Sequence, residues 1–108
     1  MQKMVFAAVA AVLLVMQWSG PVEARPSFSC RGNGLTLDEV TICNDGYLSK
    51  LDRELAFLWK SLTARQKANL RDVQRDWLWR RGNCGDDSDC IESLYYEQIS
   101  RLKAILGI

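Results

Sequence analysis

Cys84 and Cys90 stand six residues apart near the end of a 108-residue chain, and Cys30 and Cys43 stand thirteen apart near its middle. A continuous helix would carry positions 84 and 90 about 9 Å apart along its axis. A disulfide tolerates a Cα separation of only about 4.4–6.8 Å. If these two cysteines are bonded, the chain has to turn between them. Gly82, Gly85 and the run Asp86-Asp87-Ser88-Asp89 are suitable turn residues. Four cysteines allow three pairings. The expected one is local, Cys30 with Cys43 and Cys84 with Cys90, because each pair brackets a loop rich in glycine or aspartate. The first bridge should contribute about 3 kcal/mol by loop-closure entropy and the shorter one less. Zinc is a poorer use of the four, since their spacings do not resemble paired CxxC knuckles.

The N-terminal end accounts for the oxidising environment that such bridges need. Lys3 gives a basic start, Val5 to Met16 is an unbroken apolar run, and Gly20-Pro21 breaks it. Val22-Glu23-Ala24 then places small residues where a signal peptidase cuts. Residues 1–24 are therefore read as a signal peptide and residues 25–108 as one domain, periplasmic or secreted. The apolar run is shorter than the roughly 20 residues that span a bilayer, so no stable membrane span is expected after cleavage. No small-residue lipobox precedes Cys30.

The remaining pattern is helical throughout. Thr36 with Glu39 forms a capping box for a short helix that ends near Cys43. Asn44-Asp45-Gly46 signals a turn. Leu48, Leu51, Leu55, Leu58 and Leu62 alternate steps of three and four, one apolar stripe on a second helix. Thr63 with Gln66 caps a third helix, which carries Leu70, Val73, Trp77 and Leu78 and runs to about Gly82. Asp89 with Glu92 caps a fourth, with Ile91, Leu94, Tyr95, Ile99, Leu102 and Leu106 on its apolar side. No segment alternates with period two. The fold class is all-α: a small disulfide-stapled bundle of three longer helices plus one short N-terminal helix. The second and third helices are expected to form an antiparallel hairpin, with the fourth packed across them.

Composition narrows the function. The chain carries 14 Lys+Arg against 13 Asp+Glu, and losing Lys3 and Glu23 with the leader leaves the balance at +1. Nucleic acid as the main partner would need a clearly basic face. The chain contains no histidine, which excludes a histidine-based triad or a histidine-ligated metal. No phosphate-binding glycine loop appears, and no cofactor is implied. A non-enzyme is expected.

Four motifs run in order through the domain: Glu39-x-x-Ile42-Cys43; Leu48-x-x-Leu51-Asp52-x-x-Leu55; Gln74-x-x-Trp77-Leu78-x-x-Arg81-x-x-Cys84; and Cys90-x4-Tyr95-x3-Ile99-x-x-Leu102. In these the chain resembles the LprI-type lysozyme-inhibitor family, small exported bacterial helical domains. The Gln-Trp-Leu-Arg-Cys motif is the most specific of the four. The resemblance implies local disulfides, a helical fold and a protein partner, lysozyme, whose muramidase activity would be blocked to protect the cell wall. Trp59 stands where that family usually has tyrosine, and Gln98 where it usually has arginine. Other functions open to such a domain are an envelope protein-interaction module and a secreted effector.

Two sets of residues are candidates for specific roles. Gln74, Trp77 and Arg81 share one helix face. With Asp52 on the second helix they would form a buried polar clamp, Asp52 receiving Arg81 or the Trp77 indole N–H; the alternative use of these four is a binding site. Trp79 lies roughly 200° from Trp77 around the helix, either covering another segment or exposed beside Arg75, Arg80 and Arg81 as a binding anchor. The acidic turn Asp86, Asp87 and Asp89 either caps the fourth helix or docks on the basic rim of lysozyme. It lacks the length and terminal glutamate of an EF-hand loop. Trp79, Arg80, Asp86, Asp87 and Asp89 are thus the expected partner-binding residues.

Overall fold

The computed structural model describes residues 25–108; the expected signal peptide and its cleavage site lie outside the described residues. Those residues are all-α, with no strand among them. The helices are α1 (Leu37–Cys43), α2 (Gly46–Ser61), α3 (Ala64–Asn69), α4 (Arg71–Cys84) and α5 (Ser88–Leu106). Both local disulfides are formed, with Cα separations of 5.9 Å for Cys30–Cys43 and 5.6 Å for Cys84–Cys90. Gly85 makes the turn between the latter pair at φ 58°, a backbone conformation that glycine adopts without a Cβ penalty.

The leucine stripe of α2 is the spine of the core. Leu48, Leu51, Leu55 and Leu58 are all buried, as is Leu62 just past the helix end. Ile91, Leu94, Tyr95, Ile99 and Leu102 of α5 face them. Asp45 caps α2 by accepting from the Tyr47 and Leu48 N–H groups. Ser49 ties α1 to it by donating its hydroxyl to the Ile42 carbonyl at 2.6 Å.

Two local features differ from the sequence reading. The third long helix is two helices, broken at Leu70 (φ −99°, ψ 3°). Thr63 and Gln66 make their capping box, but the turn that follows, rich in Arg65, Lys67 and Asn69, buries nothing. With no apolar face to hold it in line with α4, it bends where half-buried Leu70 packs against the core. The fourth helix starts at Ser88, capped by the Asp87 carboxylate accepting from the Cys90 N–H at 3.1 Å. The Asp89–Glu92 cap is therefore not used, because the Gly85 turn lets the helix begin earlier. The expected capping box at Thr36 is present: the Glu39 carboxylate accepts the Thr36 backbone N–H, and the Thr36 hydroxyl also donates to Asp38.

The largest difference concerns packing. α2 and α4 are not close neighbours; α5 packs extensively on α2 and also on α4, and α1 touches both α2 and α4. The expected hairpin of the second and third helices is thus replaced by a splayed pair, a V, whose two arms α5 joins. The reason lies in α4, which fully buries only Trp77 and Arg81. Val73 is half-buried and Leu78 is 44% exposed. One tryptophan and one arginine cannot supply a helix-wide apolar contact, so α4 docks locally. Trp77 packs edge-on against Tyr95 at 4.9 Å.

Reduction should destabilise the domain unequally. Replacing Cys30 and Cys43 by serine is expected to cost about 3 kcal/mol and replacing Cys84 and Cys90 about 2 kcal/mol. Thermal melts of the two double variants, read by far-ultraviolet circular dichroism, check the order.

Candidate functional site

Where α1, α2, α4 and α5 converge, the interior is charged. Arg81 of α4, 7% exposed, donates from Nε to Asp38 Oδ2 at 2.7 Å and from Nη1 to the Tyr95 hydroxyl at 3.2 Å. The Tyr95 hydroxyl donates onward to Asp52 Oδ1 at 2.7 Å. The second Asp52 oxygen accepts both the backbone N–H and the hydroxyl of Ser27, each at 2.6 Å. Arg81 Nη1 itself lies 4.0 Å from Asp52. The guanidinium is also sandwiched by aromatic rings, 5.7 Å from the Phe28 centroid and 5.6 Å from that of Trp77. One cation and two carboxylates are thus removed from water together, with donors on every carboxylate oxygen that faces inward.

Burial by itself would raise the Asp38 carboxyl, but the Thr36 hydroxyl and the Arg81 guanidinium outweigh it and hold the group below its ordinary value of 3.8. Tyr95 is pushed well above its ordinary value, first by burial and then by the Asp52 carboxylate, with Arg81 opposing. It therefore stays a neutral donor to Asp52.

Of the four residues expected to form the clamp, Asp52 and Arg81 meet here, linked through Tyr95. The other two bond elsewhere. The Trp77 indole N–H donates to the Leu94 carbonyl at 2.7 Å, fixing α4 to α5. Gln74 accepts from the Gln98 amide at 2.8 Å, and Gln98 accepts from Arg101 in turn. Gln98, where the resemblance leads one to expect arginine, is fully buried, with its amide N–H met by Gln74 and its amide oxygen by the Arg101 guanidinium. Asp38 and Tyr95 are the members that sequence reasoning missed. Asp38 sits in the first turn of α1, where an acidic residue ordinarily serves the helix end.

The expected partner-binding residues divide similarly. Trp79 is 68% exposed, on the side of α4 away from Trp77. Arg80 pairs with Glu97 of α5 across the surface at 2.9 Å. Asp87 is engaged in its cap, whereas Asp86 and Asp89 are exposed and make no hydrogen bond or ion pair with the described residues. Among the described residues no group of three or more His, Cys, Asp or Glu side chains is placed to hold a metal.

The V between α2 and α4 leaves a cleft of about 470 Å³. Phe28, Leu55, Trp59, Trp77 and Leu78 give it an apolar lining, and Glu39, Asp52, Lys60, Gln74 and Arg81 a polar one. The charged cluster stands at this cleft, with Asp52 and Arg81 common to both. No periodicity argument finds such a cleft, because it arises from helices that fail to pack. Comparison with known proteins returns no matching family model, curated protein or solved structure.

Removing one partner of a buried pair leaves an uncompensated charge. Asp38→Asn is expected to cost about 3 kcal/mol, and Asp52→Ala to lower the melting temperature by several degrees. An unchanged melting temperature for Asp52→Ala would show that the cluster does not hold the helices together. The sign of the pH effect is fixed by Asp38. Its folded-state value lies below 3.8, so its contribution is complete above the ordinary carboxyl range and is lost as pH falls through 3.8 toward the folded value. Acid melts of Asp38→Asn should therefore show a flatter loss of stability than the wild type over that range.

Proposed function

We propose that this domain is an exported bacterial protein-binding module that inhibits lysozyme by docking on it through the acidic turn between α4 and α5. The observation that carries the reading is the form of that turn. A disulfide closes it, Asp87 anchors it to the start of α5, and Asp86 and Asp89 are left exposed. Carboxylates on a rigid, closed turn lose little conformational freedom on binding, which favours affinity. Their charge complements a strongly basic partner such as lysozyme and speeds its approach. The four motifs shared with the LprI-type family support the choice of partner. The two disulfides support export, and no helix among the described residues is long and apolar enough to cross a membrane. Asp38, Asp52, Arg81 and Tyr95 are hydrogen-bonded to one another in holding helices, which supports a binding role over catalysis.

A second reading has its own observation. Trp79, 68% exposed, stands near exposed Arg75 on α4, and tryptophan and arginine are both enriched at interface hot spots. That face suits an envelope protein-interaction module with a partner other than lysozyme.

The test is lysis of a cell-wall suspension by c-type lysozyme with rising amounts of the oxidised protein. Protection near stoichiometric amounts is expected. Asp86→Ala with Asp89→Ala should weaken it by tenfold or more at low salt and leave the melting temperature unchanged; Asp87 is spared because it caps α5. Absence of protection by the folded protein would discard the lysozyme reading in favour of the second.

A further inference from the structure

The α2–α4 cleft contains hydrogen-bonding groups that the fold does not use. Arg81 spends Nε and Nη1 on Asp38 and Tyr95, and its Nη2 makes no hydrogen bond with the described residues. No fully buried side-chain nitrogen or oxygen among them lacks a partner, so this nitrogen keeps a sliver of accessible surface. Arg81 is one of the residues that line the cleft. Gln74 likewise spends its oxygen on Gln98 and keeps its amide N–H groups free at the same cleft. The Trp59 indole N–H and the Lys60 ammonium, also lining residues, have no partner among the described residues. Against these four donors stand two free side-chain acceptors, the second carboxylate oxygen of Glu39, whose first is taken by Thr36, and the Ser27 hydroxyl oxygen, which donates to Asp52 but accepts nothing. Both Asp52 oxygens are already occupied.

A ligand for this cleft must therefore present acceptors. It should not be an anion. Lys60 and Arg81 are opposed by Glu39 and Asp52 in the lining and by Asp38 behind Arg81, two cations against three carboxylates, so a further buried negative charge would be repelled. Nor does the site suit a sugar ring. A sugar ring carries several hydroxyls, each with a donor to place, and the lining has few free acceptors to meet them. An uncharged amide carbonyl beside an apolar side chain fits this lining: the carbonyl takes the Arg81 and Gln74 N–H groups, and the side chain meets Leu55, Trp59 and Leu78.

We infer that the cleft receives a short uncharged segment of a partner protein, one apolar side chain inserted between α2 and α4 with its flanking backbone carbonyl on Arg81 Nη2 and the Gln74 amide. The inference rests on the reading of the domain as a protein-binding module, and not on the identity of the partner. The acidic turn would steer the encounter, and the cleft would supply the desolvated anchor that long residence needs.

The probe is N-acetyl-leucinamide, a leucine blocked at both ends to mimic an internal segment, titrated into the oxidised exported protein and followed by nitrogen-15 NMR. Saturable shifts in the millimolar range are expected for the Trp59 indole, the Gln74 amide and the Arg81 side-chain N–H groups, with the Trp79 indole unmoved. Ala56→Trp, which fills the cleft from half-buried Ala56, should abolish them. Leu78→Glu, at an exposed rim position, leaves the core untouched and should weaken binding tenfold or more, so the test stands even if the first variant folds poorly. Shifts that do not saturate, or that persist in both variants, would overturn the inference. So would tighter binding of free leucine, which would mark an amino-acid site, or of methyl glucoside, which would mark a saccharide site. This titration reads the cleft whether or not lysozyme is inhibited, and the lysis assay reads inhibition whether or not the cleft is occupied.

Discussion

A guanidinium withdrawn from water must be surrounded by partners, and those of Arg81 come from separate parts of the chain. Asp38 arrives on α1, Tyr95 on α5, Phe28 from the N-terminal segment, and Asp52 on α2 through the Tyr95 hydroxyl. Each brings its element to a defined depth and angle, because a hydrogen bond tolerates little error in either. Apolar contacts between α2 and α5 would hold over a range of slides and rotations. The charged cluster selects one of them, and it is costly to satisfy in part, since any member left alone would be a buried charge.

The N-terminal segment depends on the same cluster. It has no helix of its own, yet Ser27 gives both its N–H and its hydroxyl to Asp52, and Cys30 bonds to the end of α1. Two anchors, one polar and one covalent, hold an otherwise irregular strip whose Ser27 and Phe28 form part of the cleft lining. Without the strip Asp52 would lose two donors and Arg81 one aromatic face.

Much of this was legible in the sequence. The leucine stripe of α2 reads as a buried face because five leucines at helical spacing have no other use, and all five are buried. The disulfide pairing follows from loops that must turn. Asp52 and Arg81 could be singled out as polar residues at motif positions. Their actual connection could not, because it passes through the Tyr95 hydroxyl, and a tyrosine on an apolar helix face reads as plain core. Asp38 was hidden for the opposite reason: a first-turn aspartate has an ordinary local explanation. The V between α2 and α4 left no trace in hydrophobic spacing. Leu70, Val73, Trp77 and Leu78 look like a packing stripe, but Leu78 is turned out to the rim of the cleft.

The Cys84–Cys90 bridge has a kinetic consequence beyond its effect on stability. α4 is held by few groups, chiefly Trp77 and Arg81, so its detachment is a local opening that leaves the α2–α5 core in place. The bridge joins the last residue of α4 to the first turn of α5. An α4 that lets go is therefore leashed within a few ångströms of its dock, at an effective concentration far above that of any competing surface. Re-docking is intramolecular and fast, and Arg81 is briefly wetted and then recaptured. A loosely packed helix can in this way belong to a domain that outlasts frequent local openings.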